Sequence, residues 1–312
     1  MRTGAAAGHH GCFHEAALYG SDDELLSIVI PFLRGGAEAG EPTVVVLGET
    51  NTKLVRAGMG NTSDVSFMDA STQYTRPASV IKSYRELLAT HVARGAQQIR
   101  VVGEVPLPEL VRQWENWARY EAVINHAFDD FPLWGLCPYD TRITPDDVLT
   151  DVARTHSHLA TADGQHAPST DFEDPADFLT RRPPAGADPL ETSPPITELL
   201  DPTPAVARHT VRSAAHASRL DPDDLDALVF AVSEAVTNAA YHGQPPVCLR
   251  LWVGPDRLVA TVTDQGHGPT NPFVGLLPTM NSRSGGLGLW MTHQMCSHVT
   301  LGRSDEGFTV RV

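Results

Sequence analysis

The sequence has little of what marks secreted, membrane-spanning or nucleic-acid-binding proteins. Its four cysteines show no Cys-x-x-Cys spacing, which fits reduced cytosolic thiols better than a disulfide framework or a zinc site. No stretch reaches about 18 consecutive apolar residues and the first residues lack an apolar core, so neither a membrane span nor a secretory signal is predicted. Acidic residues outnumber basic ones 38 to 23, and the formal charge of −15 repels phosphate backbones. We therefore expect a cytoplasmic protein that binds no nucleic acid.

What the chain does contain is enough apolar sequence for two folded domains. Its 312 residues are about twice the usual domain length, and 41% of them are hydrophobic. Residues 164–197 carry seven prolines in 34 positions. Because proline fixes φ and donates no backbone hydrogen bond, this stretch predicts an irregular linker with at most a short helical turn. We place the domains at residues 9–160 and 198–312, joined by a linker at 161–197.

The two halves differ in the order of their predicted elements. In the first half, apolar strand candidates such as 43–47 and 133–137 alternate with helix candidates such as 22–34. This alternation predicts an α/β fold with a parallel sheet. In the second half, two consecutive helices, the later one at 222–242, precede a hairpin at 247–263, a further helix and two more strands. That order predicts an α+β sandwich with a mostly antiparallel sheet.

A polar strip runs along the predicted helix at 222–242. Glu234, Asn238 and His242 stand at positions i, i+4 and i+8, so they share one face of an otherwise apolar helix. Hydrated Mg²⁺ and phosphates would suit these side chains, because Mg²⁺ prefers oxygen ligands and keeps several waters. A solvated polar face on an amphipathic helix explains the same pattern, and the strip alone leaves both interpretations open.

A glycine-rich acidic turn, Asp264-Gln265-Gly266-His267-Gly268, follows the predicted hairpin. A carboxylate at a strand end can accept a hydrogen bond from an exocyclic amine such as that of adenine. The glycines let the backbone approach a ligand or adopt positive φ. An ordinary acidic glycine turn is the alternative interpretation.

A glycine run precedes the last predicted helix, in the stretch Arg283-Ser284-Gly285-Gly286-Leu287-Gly288-Leu289. Free N–H groups at a helix N-terminus can bind phosphate oxygens, and glycines let a ligand approach them. The stretch is not a Walker A loop, because the spacing Gly-x-x-x-x-Gly-Lys-Ser/Thr is absent. Simple turn chemistry at the start of a helix is again the alternative.

The order and spacing of the three motifs resemble those of the GHKL (Bergerat) ATPases. That family shows a helix with Glu-x-x-x-Asn, a hairpin, Asp-x-Gly-x-Gly, a lid, and Gly-Gly-x-Gly-Leu leading into a helix. The forms EAVTNAAYHG and GGLGLWM resemble the anti-sigma-factor serine kinases more than the histidine kinases. The resemblance covers residues 198–312 and implies a Bergerat sandwich that binds ATP and Mg²⁺.

The resemblance also implies roles for individual residues. Asn238 would bind the Mg²⁺ of ATP, Asp264 would accept a hydrogen bond from the adenine amino group, and Glu234 would be the general base for a serine hydroxyl. The other residues implied to contact or support the nucleotide are His242, Gly266, Gly268, Arg283, Gly285, Gly286, Gly288 and Thr309. Gly266 and Gly268 would shape the adenine pocket that Thr309 supports. Arg283 and the three glycines after it would approach the phosphates.

The first half of the chain resembles a different family, the MEDS sensory domains. The stretches HEAALYGSDDELLSIVIPFLRGGAEAGEPTVVVL and NHAFDDFPLWGLCPYDT, together with Thr155-His156, carry this resemblance, which extends over residues 9–160. It implies a degenerate RecA-like fold with a parallel sheet that senses an unknown small molecule. The segment 48–53 lacks the Walker A spacing, so no phosphate site is predicted there.

A group of metal-binding residue types stands near the N-terminus. His9, His10, Cys12 and His14 lie within six positions of one another. They have no clear further ligand at what we expect to be a mobile terminus, so we interpret the group as incidental rather than as a metal site.

Together the two resemblances imply a partner-switching regulator. A sensor would control an ATP-dependent serine/threonine kinase that sequesters a sigma factor and phosphorylates a STAS-domain anti-anti-sigma protein. Relatives of this kind suggest a homodimer through the ATPase domain. A non-catalytic switch, in which ATP only stabilises the sigma-binding surface, is the first alternative. A sensor histidine kinase is the second, but His209 and His216 lie on one short predicted helix rather than on a dimerisation hairpin.

Overall fold

The computed structural model describes residues 2–60, 64–106, 114–182, 186–216, 218–278 and 287–312. Within them the chain forms two units, Met1–Leu179 and Thr180–Val312. No helix among these residues combines the length and the apolar character needed to cross a membrane.

A seven-stranded sheet forms the centre of the first unit. Its strands are β1 (Phe13–Tyr19), β2 (Thr43–Leu47), β3 (Val65–Asp69), β4 (Ile99–Gly103), β5 (Leu133–Asp140), β6 (His158–Ala160) and β7 (His166–Pro168). The helices are α1 (Asp22–Glu38), α2 (Glu49–Met59), α3 (Ala70–Gln73), α4 (Pro77–Ala93), α5 (Trp114–Ala127), α6 (Asp146–Thr155) and α7 (Pro175–Arg181). The strand order is β3-β2-β4-β5-β1-β6-β7, and every neighbouring pair is parallel except β6 and β7.

The parallel α/β sheet predicted for this half is confirmed. β2 (TVVVL) and β4 (IRVVG) are buried along their whole length, as expected where helices cover both faces of a parallel sheet. β1 was not predicted, because its sequence FHEAALY has the polar residues His14 and Glu15 at its second and third positions. Both side chains are nevertheless buried, at 1% and 0% exposure.

The prediction of an irregular linker over residues 161–197 is wrong where β7 pairs with β6 and where Pro189–Thr192 forms a 3-10 helix. The short helical turn predicted within this segment is confirmed as α7, which buries Phe178. Proline is compatible with each element for a physical reason. Pro168 ends a strand at the edge of the sheet, and Pro175 begins a helix, where its missing N–H would have no intrahelical acceptor. The domain limits themselves stay a prediction.

The second unit is an antiparallel sheet with helices packed against it. Its elements are β8 (Thr197–Leu200), α8 (Pro204–Ala215), α9 (Pro222–His242), β9 (Cys248–Val253), β10 (Leu258–Asp264), α10 (Leu287–Met295), β11 (Thr300–Ser304) and β12 (Gly307–Arg311). The strand order is β11-β12-β10-β9-β8, and each neighbouring pair is antiparallel. The predicted α+β fold is therefore confirmed, with β8 as a further strand, at the start of the predicted domain, that sequence reasoning had missed.

The long helix α9 organises this unit. Asp221 caps its start, since the Asp221 side chain accepts a hydrogen bond of 2.9 Å from the Asp223 N–H, and Pro222 occupies the first helical position. The apolar side of α9, with Val232 and Val236, shares one core with α8 and strands β9, β10 and β12. The polar strip of α9 is thereby fixed in orientation at the edge of that core.

Candidate functional site

A cavity of about 460 Å³ opens in the second unit, a volume within the usual range for small-molecule sites. Its lining residues are Ala235, Asn238, Ala239, His242 and Gly243 from α9 and its end, Val262 and Asp264 from β10, residues 268–271 and Val274 after β10, Leu289 from α10, and Phe308 and Val310 from β12. The cavity thus combines a few polar groups with a largely apolar wall.

Two members of the predicted polar strip of α9 face this cavity. Asn238 is half-buried and His242, one turn later, is exposed at the helix end. Glu234, one turn before Asn238, lies against the first turn of α10 instead. A Cβ placed on Gly288 would collide with the Glu234 carboxylate, so a larger residue there would displace this side chain from its position between α9 and α10.

Asp264, at the end of β10, is the buried acidic group of the cavity, with 5% exposure. Its Oδ1 accepts hydrogen bonds from the Gly266 N–H at 2.6 Å and from the Gln244 N–H at 3.1 Å. Both bonds reach the same oxygen, so the carboxylate is held in a fixed orientation while Oδ2 keeps its acceptor capacity. A buried acceptor beside an apolar wall is the feature that an exocyclic amine would recognise.

Glycines surround this carboxylate because side chains would not fit. A Cβ on Gly243 would collide with the Asp264 side chain, one on Gly266 would lie 2.6 Å from its Oδ1, and one on Gly307 would collide with the Asp264 backbone. Sequence reasoning had placed Gly266 at the site but assigned no role to Gly243 or Gly307. Gly266 could be found from the sequence because it follows Asp264 by two positions. Gly243 and Gly307 lie far from Asp264 in the sequence, so no local pattern pointed to them.

The flat apolar wall of the cavity is formed by Phe308 and Val310 on β12 with Val262 on β10. Gly268 packs onto the Phe308 ring, adopts a φ of +70°, and has no room for a Cβ there. Gly268 therefore lies in the cavity wall, while its role in an adenine pocket stays a prediction, and Phe308 is a wall residue that sequence reasoning missed.

Thr309 corrects one prediction. The resemblance implied that it supports the adenine pocket, but Phe308 and Val310 face the cavity, and successive side chains of a strand point to opposite faces. The Thr309 hydroxyl lies 2.9 Å from the hydroxyl of Thr263, with which it forms a hydrogen bond on the other face of the sheet. Alternation along β12 was the signal that would have assigned Phe308 to the cavity.

The predicted phosphate side of the site is only partly described. Arg283, Gly285 and Gly286 lie outside the described residues, so their phosphate contacts stay predictions. Gly288 is described and lies in the first turn of α10. Residues 268–271 and Val274, in the segment predicted as a lid, form part of the cavity wall.

In the first unit, a carboxylate occupies the place where a phosphate loop would act. The N-terminus of α2 follows β2, and the Glu104 carboxylate from the end of β4 accepts hydrogen bonds from the Gly48 N–H at 3.0 Å and from the Asn51 side chain at 2.8 Å. A negative group already stabilises this helix N-terminus, so a phosphate would be repelled there. The geometry agrees with the absence of a Walker A pattern.

A second cavity, of about 550 Å³, lies in the first unit. Arg100 and His166 contribute charge to its lining, and Phe32 and Trp134 contribute aromatic rings. His166 is held by a 2.7 Å bond between its Nδ1 and the buried Glu15 carboxylate, which raises the pKa of His166. Its size and mixed lining suit a small organic molecule.

A polar cluster is buried elsewhere in the same unit and contains His14, Glu121, Cys137 and His156. The interpretation of His14 as part of a terminal group with His9 and His10 is therefore wrong, because His14 lies inside β1 and faces α5, β5 and the end of α6. Burial lowers the pKa of His14 to about 4 and raises that of Glu121 to about 8.

Comparison with known protein families assigns both units. The family model for MEDS, the methanogen/methylotroph, DcmR sensory domain, matches residues 13–157. The model for the histidine kinase-like ATPase domain matches residues 197–312, the part that holds the 460 Å³ cavity. Both resemblances inferred from the motifs are thereby confirmed.

Searches with the whole chain add nothing to this assignment. No curated protein matches it. The crystal structure of Oryza sativa TDC with PLP is 12% identical and aligns over 94% of this chain and 62% of that one, with a TM-score of 0.27. This chain thus spans less than two thirds of that protein, and a TM-score so low carries no argument about fold or function.

Proposed function

We propose that this chain, a MEDS sensory domain joined to a histidine kinase-like ATPase domain, is a cytoplasmic partner-switching regulator. Its ATPase domain binds Mg-ATP, sequesters a sigma factor and phosphorylates a serine of a STAS-domain anti-anti-sigma protein. A small molecule bound by the MEDS domain controls this activity. The domain assignment supports a sensor-regulated, kinase-like ATPase, and the residues of the cavity support the more specific chemistry.

The fixed carboxylate of Asp264 is the observation that carries the proposal. Its Oδ1 is occupied by two backbone N–H groups, and its remaining acceptor capacity serves the amino group of an adenine stacked on the wall of Phe308 and Val310. Asn238 faces the same cavity from α9, with an amide oxygen of the type that Mg²⁺ accepts as a ligand. The adenine and the metal-bound phosphates thus have separate partners in one cavity.

Glu234 is the proposed general base. It lies one helical turn from Asn238, and its carboxylate faces Gly288 at the start of α10, where helix N–H groups attract phosphate oxygens. In the proposed reaction the serine oxygen attacks the γ-phosphorus and ADP leaves. Glu234 takes the proton of the serine hydroxyl.

The arrangement of α8 argues against a histidine kinase. In that class a helical hairpin ahead of the ATPase domain carries the phosphoaccepting histidine. Here α8 packs into the core of the ATPase domain through the buried residues Ala207 and Val211. His209 is exposed on α8, but the helix is a structural part of the sandwich and leads directly to α9.

The test is a phosphotransfer assay with the full chain, labelled Mg-ATP and purified STAS-domain proteins. Wild type should place label on a serine of one STAS protein. Glu234→Gln preserves the side-chain size beside Gly288 and should lower this rate at least about 100-fold with ATP affinity within about threefold, because general base catalysis contributes about that much. Asp226→Asn makes the same chemical change at an exposed position two turns earlier on α9 and should have no effect.

Other results would separate the alternatives. ATP-dependent binding of a sigma factor without any transfer, equal in wild type and Glu234→Gln, would support the non-catalytic switch. Acid-labile label on the chain itself that disappears in His209→Ala would support a histidine kinase. Failure of Mg-ATP to bind the wild-type chain would overturn all three.

A further inference from the structure

Four side chains of the MEDS domain bring potential metal ligands to one buried point. They are His14 on β1, Glu121 on α5, Cys137 on β5 and His156 directly after α6, and their ligand atoms all lie within 4.8 Å of one another. The Nε2 of His14 is 3.3 Å from the Cys137 Sγ and 3.5 Å from the Glu121 Oε2, and the Nε2 of His156 is 3.6 Å from that same oxygen. Ligands around a tetrahedral zinc ion with bonds of about 2.0–2.3 Å stand about 3.3–3.8 Å apart, and these three distances lie in that range.

The second nitrogen of each imidazole fixes which tautomer faces the cluster. Asn125 donates its side-chain N–H groups to backbone oxygens, among them that of Thr155 at 2.8 Å, so its Oδ1 is the atom 3.2 Å from the His14 Nδ1. The Nδ1 of His156 lies 2.8 Å from the Val152 carbonyl oxygen. Both acceptors require a proton on Nδ1, which leaves both Nε2 lone pairs directed at the cluster.

Two of the atoms that meet there have no hydrogen-bond partner among the described residues. These are the Oε2 of Glu121 and the Nε2 of His156, both on side chains with 0% residue exposure. Each is an acceptor, and their separation of 3.6 Å is too long for a hydrogen bond even if the carboxyl were protonated. Acceptors that face one another inside a protein are stabilised by a cation between them.

We propose that this cluster is a binding site for one Zn²⁺ ion, with His14, Glu121, Cys137 and His156 as its ligands. Two imidazoles, a thiolate and a carboxylate are donors that zinc takes in proteins, and the two anionic groups balance the charge of the ion. Tyr139 donates a hydrogen bond of 3.0 Å to the other oxygen of Glu121 and so orients the carboxylate. Because the protein supplies all four ligands, the ion ties β1 and β5 to α5 and the end of α6 without an open position for catalysis.

The absence of Cys-x-x-Cys spacing had counted against a zinc site, and the structure shows why that criterion failed. The four ligands come from four separate elements and are spread over more than 140 positions of the sequence. No short sequence motif could therefore identify these four ligands.

A cobalt titration of the full chain tests the site directly. The chain is treated with a chelator under reducing conditions, freed of it, and titrated with Co²⁺ while its absorption spectrum is recorded. We expect saturation at one ion per chain, with intense visible bands of a tetrahedral site and a thiolate-to-cobalt charge-transfer band in the near ultraviolet. Addition of one equivalent of Zn²⁺ should remove these bands and raise the melting temperature of the chain.

Matched cysteine variants decide which thiol is the ligand. Cys12→Ser changes a buried cysteine of the same domain outside the cluster and should leave the charge-transfer band and the Co²⁺ affinity unchanged. Cys137→Ser should remove the charge-transfer band and weaken Co²⁺ binding at least about 100-fold, in the range seen when a metal site loses support. Glu121→Gln should weaken binding while it preserves the band.

Each other result overturns the proposal. A wild-type chain without a charge-transfer band excludes the site, and that measurement needs no variant to fold. A band lost in Cys12→Ser but kept in Cys137→Ser would place the metal at the N-terminal histidines instead. The outcome is independent of the proposed kinase function, because the spectrum and the melting temperature are both recorded without ATP.

Discussion

The two domains treat buried charge in opposite ways. The MEDS domain encloses Glu15 and Arg100, and each of them is paired with another side chain of the same unit, His166 and Glu41 respectively. In the part of the ATPase domain that the structure describes, Asp264 is the only buried acidic or basic side chain, and it borders a cavity.

The difference separates charge that serves the fold from charge that serves a ligand. Arg100 in the MEDS domain donates bonds of 2.7 Å to the Glu41 carboxylate, the Phe32 carbonyl oxygen and the Thr3 hydroxyl. Although Arg100 lines the 550 Å³ cavity, each of its three guanidinium nitrogens already donates a hydrogen bond within the protein. Asp264 instead uses one oxygen for the backbone and keeps acceptor capacity for something in the cavity. We expect changes to the first kind of residue to lower stability and changes to the second to lower affinity.

Arg100→Met should give the largest effect. The variant leaves the Glu41 carboxylate, whose side chain is 8% exposed, without its cationic partner, and breaking such a buried pair costs about 3–5 kcal/mol of unfolding free energy. Urea denaturation followed by circular dichroism measures the loss. Arg250→Met removes an equivalent pair with Glu198 from the surface of the ATPase domain and should cost less than about 1 kcal/mol. Equal losses in the two variants would contradict the comparison.

Asp264→Asn should have its effect on affinity rather than stability. The amide oxygen can still accept from the Gly266 and Gln244 N–H groups, but the amide NH₂ would present a donor to the adenine amino group. We expect ATP affinity to fall at least about 100-fold, or about 2.8 kcal/mol, with the unfolding free energy within about 1 kcal/mol of wild type. Isothermal titration calorimetry measures the first quantity.

The control for Asp264→Asn is Asp256→Asn, at the exposed turn between β9 and β10. This variant should bind ATP as wild type does. If Asp264→Asn destabilised the domain by several kcal/mol while it still bound ATP, the carboxylate would be structural, like Arg100.

Local periodicity predicted the helices and strands whose environment is uniform along their length. α9 begins and ends at the predicted residues 222 and 242, and β2 lies at the predicted 43–47. The prediction missed β1 because a glutamate such as Glu15 is typical of an exposed position. In the structure Glu15 is buried, the Trp134 indole N–H donates a hydrogen bond of 2.6 Å to it, and His166 pairs with it. Those partners lie more than 110 positions away, beyond any local window.

The candidate site shows the same limit. The strip of Glu234, Asn238 and His242 follows from helix geometry, and two of its members reach the cavity as that geometry predicts. Thr309 was assigned from family motifs without regard to strand alternation, and the structure places it on the wrong face. His14 was grouped with its sequence neighbours, although the side chains around it in the structure belong to distant residues that only the folded sheet brings together.

Gly268→Ala should have an intermediate effect, and Gly164→Ala is its matched control. Both glycines adopt positive φ, of +70° and +82°, so each substitution should cost about 1 kcal/mol of unfolding free energy through backbone strain. Gly164 has nothing within 4 Å of its added Cβ, whereas at Gly268 the Cβ would collide with the Phe308 ring.

We therefore expect Gly268→Ala to cost about 1–3 kcal/mol more than Gly164→Ala, and to weaken ATP binding about tenfold as the displaced ring narrows the cavity. Paired denaturation curves and calorimetry give both numbers. Equal unfolding free energies for the two variants would show that the Phe308 ring can move aside without a cost in stability.

His166→Gln should have the smallest effect, visible only through its pH dependence. Glu15 raises the pKa of His166 above its ordinary value of about 6.5, while burial and the nearby positive charge of Arg100 oppose this. A folded-state pKa that is raised contributes stability that is complete below about pH 6.5 and is lost as the pH rises through the folded-state pKa. Wild type should therefore lose a fraction of 1 kcal/mol relative to His166→Gln between pH 6 and pH 9, because water screens a histidine that is 29% exposed. The control is the exposed His10→Gln variant, whose stability should change with pH as that of wild type does. If the stability of His166→Gln also followed the wild-type pH curve, the pair of His166 and Glu15 would contribute no free energy of unfolding.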